Sequence, residues 1–464
     1  MAIDKQSPVS YIPTTRPEGT VGMHYFIDFK NYSEASINLY SNLTLLIGKN
    51  GSGKSNLIEG VELLAALAEG RPLHEMVDRG PLQGAGVVRG GIHNCVKFGQ
   101  ESFSLGFDGR IPFLGKSERF DYRITVSVDP FPRVTEEYLT VGRRTIFLAD
   151  AERADGMLNA MYDNFARGGV KPRKNLWGDR SVISRYAELT DSNEAGDPDK
   201  KLKAIKLVGI ICRYMQSSFI FDPNPKLMRD YVRSGQHTLL KDASNLSAVL
   251  QSLYWDMNLP ASLLPPGKKP KDEPYPIERI LSVVRQIPEE PFLKFDFVTT
   301  QQMDVLFGIV VDEKTIDARL MSDGTLRIIA VITALESIDS GSRVVIEEFD
   351  NGLHPSRAEV LIKAIMEIVS RRKLNVLIST HNPASLNCLD AEWLKDVHVC
   401  HWDAINKTSV LTRLLDIPKV DSLLESKTSL GDLITKSVFE KHLQPRFEED
   451  KKAKAIEWLS RLGG

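Results

Sequence analysis

Apolar positions along the chain follow two periods. The runs Tyr25-Phe26-Ile27-Asp28-Phe29, Ile37-Asn38-Leu39 and Leu43-Thr44-Leu45-Leu46-Ile47 are apolar at every or every second position and predict strands. Alternation returns at 102–107 and 122–128, predicting antiparallel strands of a β-rich subdomain. From about Ala149 to Val283 the pattern becomes helical, with amphipathic runs at 202–215 and 246–255 and a polar, acidic loop at 190–201. Beyond it lie a long apolar helix at 328–335 and the continuous apolar strands Val344-Val345-Ile346 and Val376-Leu377-Ile378. Strands alternating with helices predict an α/β fold with a mostly parallel sheet, whose ligand sits at the C-terminal ends of the strands.

The third strand runs directly into Gly48-Lys49-Asn50-Gly51-Ser52-Gly53-Lys54-Ser55-Asn56, and a helical pattern (Leu57, Ile58, Val61, Leu63, Leu64) follows. Gly48, four residues, then Gly53-Lys54-Ser55 is the spacing of a phosphate-binding loop: glycines let the backbone close around a polyphosphate while amides and the helix N-terminus point at it. Lys54 reaches the terminal phosphates and the Ser55 hydroxyl ligates Mg²⁺. A dinucleotide fingerprint fails at Asn56, where a third glycine is needed.

Composition bounds the rest. A chain of 464 residues, 42% hydrophobic and 26% charged, is long enough for two or three domains with a large core. With 59 basic and 61 acidic residues, any nucleic-acid contact must come from a local patch. Lys171, Arg173, Lys174, Arg180 and Arg185 form one such group and Lys268, Lys269 and Lys271 another, though solvated loops are the commoner meaning of such runs. No apolar run reaches membrane-spanning length and no signal-like start is present, so a cytoplasmic location is expected. The four cysteines, Cys95, Cys212, Cys388 and Cys400, are unpaired in spacing and fit buried thiols. The group His398-Val399-Cys400-His401 alternates as a strand does and has no second ligand pair at zinc spacing.

Downstream, Ser322-Asp323-Gly324-Thr325 opens the apolar helix and offers a second anion site at its N-terminus. Ile346 is followed by Glu347-Glu348, then Asp350; the last apolar strand ends in Thr380-His381. Phosphoryl transfer to water needs a charge clamp, a metal and a group acting on the water, and these residue types supply all three. In this order the motifs resemble the ABC-type ATPase head shared by the SMC, RecF and OLD families: 48–56 as Walker A, 322–325 as signature, 346–348 as Walker B, Asp350 in the D-loop region and His381 as the switch histidine.

That resemblance implies an ABC-type P-loop head with an antiparallel β subdomain and an inserted helical region. It implies Mg²⁺ and ATP held by Asn50, Gly51, Ser52, Gly53, Lys54, Ser55 and Asn56, with Ser322 and Gly324 contributed in trans by a second protomer. Lys54, Glu348 and His381 would be catalytic, and Ser55 and Glu347 would hold the metal. The family usually has aspartate at position 347, so which acid serves metal and which serves water stays open, as does the coupling glutamine, Gln83 or Gln100. The expected divisions are an extended lead-in at 1–23, the first head segment at 24–148, a helical insertion at 149–285, the second head segment at 286–410 and a helical tail at 411–464, with helices at 429–443 and 446–462 separated by Pro445. A proline-rich linker is expected near 264–276.

The compact head, with Phe221-Asp222-Pro223, Arg229 and 242–246 in the insertion, resembles the stand-alone ATPase subunits of the bacterial anti-phage systems PARIS (AriA) and Septu (PtuA). This implies a homodimeric or higher assembly, a separately encoded effector nuclease and a phage-derived trigger. Only about 80 residues follow His381, too few for the extra nuclease domain of OLD nucleases. The alternatives are a RecF/SMC-like repair ATPase that clamps DNA directly and a non-hydrolysing, ATP-dependent scaffold.

Overall fold

In the computed structural model the described residues are 22–76, 88–151, 156–166, 170–191, 196–258, 274–288, 290, 292–389, 391–425, 429–436 and 438–443. Strands β1 (Met23–Phe29), β2 (Tyr32–Asn38), β4 (Ser102–Phe113), β5 (Lys116–Ser127), β6 (Arg133–Val141), β7 (Arg144–Asp150), β8 (Met157–Tyr162) and β9 (Arg173–Trp177) form one antiparallel sheet in the order β2-β1-β4-β5-β6-β7-β8-β9. A second sheet has the order β10-β15-β16-β3-β17-β18, from β3 (Leu43–Ile47), β10 (Ser218–Phe221), β15 (Arg343–Ile346), β16 (Asn375–Thr380), β17 (Val397–Asp403) and β18 (Thr408–Arg413). Its pairs are parallel except β17 with β18. In a small third sheet β13 (Asp304–Val311) pairs antiparallel with β11 (Val232–Arg233), β12 (Lys294–Thr299) and β14 (Lys314–Asp317).

The helices are α1 (Lys54–Glu69), α2 (Tyr186–Asp191), α3 (Pro198–Gln216), α4 (Leu246–Asn258), α5 (Pro276–Val284), α6 (Asp323–Ser337), α7 (Pro355–Arg372), α8 (Pro383–Asn387), α9 (Val420–Glu425), α10 (Leu430–Thr435) and α11 (Val438–Leu443). Every position of β3 is buried, because the parallel sheet has a core on each face. Leu43, Leu45 and Ile47 enter a core shared with α4 to α8. Leu46, with Val345 and Leu377, faces the other core, made by α1, α3 and the antiparallel sheet. Strand alternation thus fixes the head between two cores, and each fully buried Leu, Ile or Phe contributes about 1.5–3 kcal/mol to holding it there.

The expected α/β head with an antiparallel β subdomain is present. The helical reading of 149–285 is corrected: β8 and β9 extend the antiparallel sheet, and β10 is an edge strand of the parallel sheet itself. Each is only four to six residues long and flanked by polar loops, so neither period is developed enough to register in the sequence. The tail at 411–464 begins inside β18; within it, Leu430, Leu433 and Phe439 pack into the core of the head. The expected helix at 446–462 lies outside the described residues, as do most of the lead-in and of the 264–276 linker. Among the described residues no helix is long and apolar enough to cross a membrane.

Candidate functional site

The parallel strands β3, β15 and β16 deliver their C-terminal ends to one place. From Ile47 the chain turns through Gly48 (φ 154°), Gly51 (φ 78°) and Gly53 (φ 114°) into α1. These values are open to glycine and strained for any side chain. Space makes the same demand: a Cβ on Gly48 would lie 2.2 Å from the Cys400 carbonyl oxygen, and one on Gly53 would lie 2.8 Å from both Tyr32 Oη and Ser409 Oγ. Behind the loop, Ser409 Oγ donates to Ser52 O (2.5 Å), Cys400 Sγ donates to Ser52 O (3.0 Å), and Tyr32 Oη donates to Gly53 O (3.0 Å). Asn56 Nδ2 donates to Asn31 Oδ1 (2.7 Å), which fixes the first turn of α1 to the β1–β2 connection.

Lys54 is buried and its Nζ donates to Gly48 O (2.7 Å) and Lys49 O (3.0 Å), lying across the loop. Burial pulls its pKa below the usual lysine range, opposed by Cys400, Glu348 and Glu347 nearby. Ser55 Oγ donates to Glu347 Oε2 at 3.1 Å. Burial raises the Glu347 pKa, with Arg89 and the Ser55 bond opposing the rise and Asp222, at the end of β10, adding to it.

Glu348 adopts φ 43°, a strained value for a side-chain-bearing residue. Its amide donates to Ser379 Oγ (3.0 Å), and its carbonyl accepts from Arg327 Nη1 (3.3 Å). Its carboxylate accepts from Asn351 Nδ2 (3.0 Å) and lies 3.8 Å from His381 Nδ1. Asp350 is buried beneath, accepting from Thr380 Oγ1 (2.7 Å) and from Ser385 Oγ, so the segment after β15 is tied to the end of β16. Burial raises its pKa while these hydroxyls lower it.

Ser322 caps α6: its Oγ accepts from Thr325 N (3.1 Å). Arg357 Nη1 donates to Ser322 Oγ (3.2 Å) and Thr325 Oγ1 (3.1 Å), and Glu290 accepts from Thr325 Oγ1 (2.8 Å). Gly324 lies against Leu353; a Cβ there would be 2.9 Å from Leu353 Cδ2. The 322–325 turn is therefore held at the start of α6, on a different element from the glycine turn, and α6 is joined to the end of β15 through Arg327.

The structure brings together Lys54, Ser55, Glu347, Glu348 and His381, as expected. It adds residues the sequence did not place at the site. Arg89 donates to Glu59 and sits 3.8 Å from Glu347, and Glu59 also pairs with Lys30. Arg327, Asp222, Tyr32, Cys400 and Ser409 complete the surroundings. Of the coupling candidates, Gln100 is exposed in the turn before β4, and Gln83 lies outside the described residues. Within the basic group at 171–185, Lys171 pairs with Asp163, and Arg185 donates to the carbonyls of Trp177, Arg180 and Ser181.

The donor set fits Mg²⁺ and a polyphosphate. Ser52 Oγ is buried in the loop without a hydrogen-bond partner among the described residues, and a hydroxyl beside a carboxylate is the hard-oxygen pair that Mg²⁺ prefers.

Comparison with known proteins gives a family. The model of the family described as "AAA domain, putative AbiEii toxin, Type IV TA system" matches residues 43–155 and 223–387, more than half of the chain. The DNA replication and repair protein RecF of Gloeobacter violaceus is 48% identical over 58 residues, 12% of this chain and 16% of that protein. RecF of Crocosphaera subtropica is 54% identical over 43 residues, 9% of this chain and 11% of that one. The chain thus spans about a sixth or less of the length of these curated relatives. Among solved structures, the SmcHead bound to the C-winged helix domain of ScpA aligns with TM-score 0.46 at 10% identity, over 85% of this chain and 98% of that chain. The SMC head domain from Thermotoga maritima aligns with TM-score 0.33 at 12% identity, over 85% and 98%.

Proposed function

The chain belongs to the AAA-domain family just described, and from that premise we propose that it binds and hydrolyses ATP at the 48–56 loop, in a site completed by a second copy of itself. The observation that carries this reading is the convergence of Lys54, Ser55 and Glu347 at the end of three parallel strands.

The amides of the glycine turn and the N-terminus of α1 receive the phosphates, and the Lys54 ammonium neutralises the charge that grows at the terminal group. Ser55 and Glu347 would hold Mg²⁺, which when bound would supply further charge neutralisation. Glu348 takes the proton from the attacking water, its carboxylate aimed by Asn351 and its backbone held by Ser379 and Arg327. His381, 3.8 Å from that carboxylate, would contact the terminal phosphate. Ser322 and Gly324 present the N-terminus of α6 to the nucleotide of the neighbouring protomer, so ATP joins two heads. This division, Glu347 for metal and Glu348 for water, is supported by the Ser55 bond to the first and the His381 neighbour of the second.

At the biological level the reading is an ATPase and sensor subunit of a bacterial anti-phage complex, with ATP-driven assembly controlling a separately encoded effector nuclease in response to a phage-derived trigger. The family's description as a toxin of a toxin–antitoxin system supports a defence role. The second reading, a RecF-like ATPase that clamps DNA, draws support from the local RecF matches.

The test uses Glu348→Gln. A cycling enzyme loses ATP turnover but keeps ATP-dependent assembly in light scattering, whereas a protein that only binds ATP behaves as wild type. Duplex DNA binding that weakens steeply with salt selects the clamp reading.

A further inference from the structure

A cavity of about 600 Å³ lies away from the nucleotide loop, where the β4–β5, β6–β7 and β8–β9 connections of the antiparallel sheet meet. Its volume is that of a small-molecule site, about 300–1,000 Å³ in general. The charges around it are unequal: four cations, Lys116, Arg143, Arg144 and Lys171, face two carboxylates, Glu118 and Asp163. Phe113, Leu114, Val141 and Met161 supply an apolar wall.

The cations are held in two ways. Asp163 has a side chain only 2% exposed, and it gathers Arg144 Nη1 (2.5 Å), Lys171 Nζ and the amide of Phe165 (2.8 Å). Burial disfavours its charge, but the bonds from Lys171 and Arg144 outweigh that and hold its carboxyl below the usual range. One buried carboxylate therefore fixes two cations from different connections against the same wall. Each keeps donors to spare, since Arg144 and Lys171 are 45% and 36% exposed. Arg143, on the β6–β7 turn, and Lys116, at the start of β5, make no ion pair among the described residues. The turn that carries Arg143 is set by Gly142 (φ 60°), over which the Glu118 carboxylate lies so closely that a Cβ would come 2.6 Å from its oxygen.

We propose that this cavity binds a phosphomonoester of nucleotide size. The formal excess of two positive charges matches a phosphate dianion, Arg144 and Lys171 gathered at Asp163 supply a guanidinium and an ammonium to its oxygens, and the apolar wall receives the attached organic group. An acidic peptide would satisfy the charge but would leave the apolar wall of Phe113, Val141 and Met161 without an organic group to receive. The phosphate can belong to a free nucleotide or to the 5′ end of a nucleic-acid strand. A site of this kind on the β subdomain gives the head a ligand input separate from its own ATP loop.

The experiment is equilibrium dialysis on the full chain carrying Lys54→Ala, which disables the nucleotide loop and keeps this test independent of it. The probes are uridine, uridine 5′-monophosphate, a thymidine tetranucleotide with and without a 5′-phosphate, and hexaglutamate. The site predicts that uridine monophosphate, the phosphorylated tetranucleotide or both bind, and that the unphosphorylated counterparts and hexaglutamate do not. The tighter of the two phosphorylated probes identifies the source. The double substitution Lys116→Ala, Arg143→Ala, both exposed, weakens that binding by about tenfold or more with an unchanged melting temperature. Binding that ignores the phosphate, equal binding of hexaglutamate, no binding at millimolar probe, or indifference to the double substitution overturns the proposal.

Discussion

Ser55 Oγ donates to Glu347 Oε2 across 3.1 Å, joining the first turn of α1 to the end of β15 over 292 residues of sequence. The neighbouring acid points elsewhere: Glu348 turns on a φ of 43° toward Asn351 and His381. Two adjacent carboxylates thus have two environments, one desolvated beside a hydroxyl and an arginine, the other half-exposed beside an imidazole.

That difference separates their substitutions. Glu348→Gln is expected to lower turnover by at least about a hundredfold, the range of a general base, with ATP affinity kept. Glu347→Gln should instead raise the Mg²⁺ concentration needed for half-maximal activity about tenfold or more. A magnesium titration of both variants checks this; identical Mg²⁺ dependence in the two would exclude the assignment.

Gly48→Ala tests the loop geometry without removing any functional group. The added Cβ meets the Cys400 carbonyl oxygen at 2.2 Å, and backbone on both sides cannot yield cheaply. ATP binding should fall beyond detection by fluorescent-analogue titration while the far-ultraviolet circular dichroism stays that of the wild type.

Glu59 distinguishes a buried pair from a surface one. Its side chain is 5% exposed and pairs with Lys30, itself 10% exposed. Glu59→Ala should cost about 3 kcal/mol in urea unfolding, because an ammonium is left buried without its partner. Glu62→Ala, which removes the exposed pair with Lys241, should cost less than about 1 kcal/mol. Equal costs would contradict the buried-charge account.

His24 gives stability a pH dependence. It is fully buried against Phe107, neither ring nitrogen has a hydrogen-bond partner among the described residues, and burial, reinforced by Arg343, lowers its pKa to about 3. Between pH 6.5 and about 3 the unfolded chain binds a proton that the folded chain refuses, so this residue costs stability as pH falls below 6.5. The slope approaches about 1.4 kcal/mol per pH unit. His24→Phe should narrow the difference between melting temperatures at pH 7 and pH 5; an unchanged difference would show that the ring is protonated in the fold.

What the sequence made legible was local. The run from Leu43 to Leu64 shows strand, turn and helix in one stretch, and Val344 to Glu348 and Val376 to His381 each show a buried strand ending in polar chemistry. What it hid depends on distant partners. Ser218–Phe221 is four residues long and becomes a strand because β15, more than a hundred residues later, supplies its hydrogen bonds. Cys400 was legible as a buried thiol in a strand, but not as the group that braces Ser52 from behind. Arg89 carries no local sign of its position beside Glu347; only the packing of Glu59 and Lys30 on α1 and the β1–β2 turn places it there.

The central claim, a nucleotide site shared between two copies, is tested most directly by mixing two inactive variants. Lys54→Ala lacks the proposed phosphate clamp and keeps the 322–325 turn; Ser322→Arg blocks that turn and keeps the clamp. In a one-to-one mixture of dimers, half are mixed and each mixed dimer holds one intact site, so ATP hydrolysis should recover to about a quarter of the wild-type rate. A mixture as inactive as either variant alone, at concentrations where the wild type assembles, would contradict the shared site.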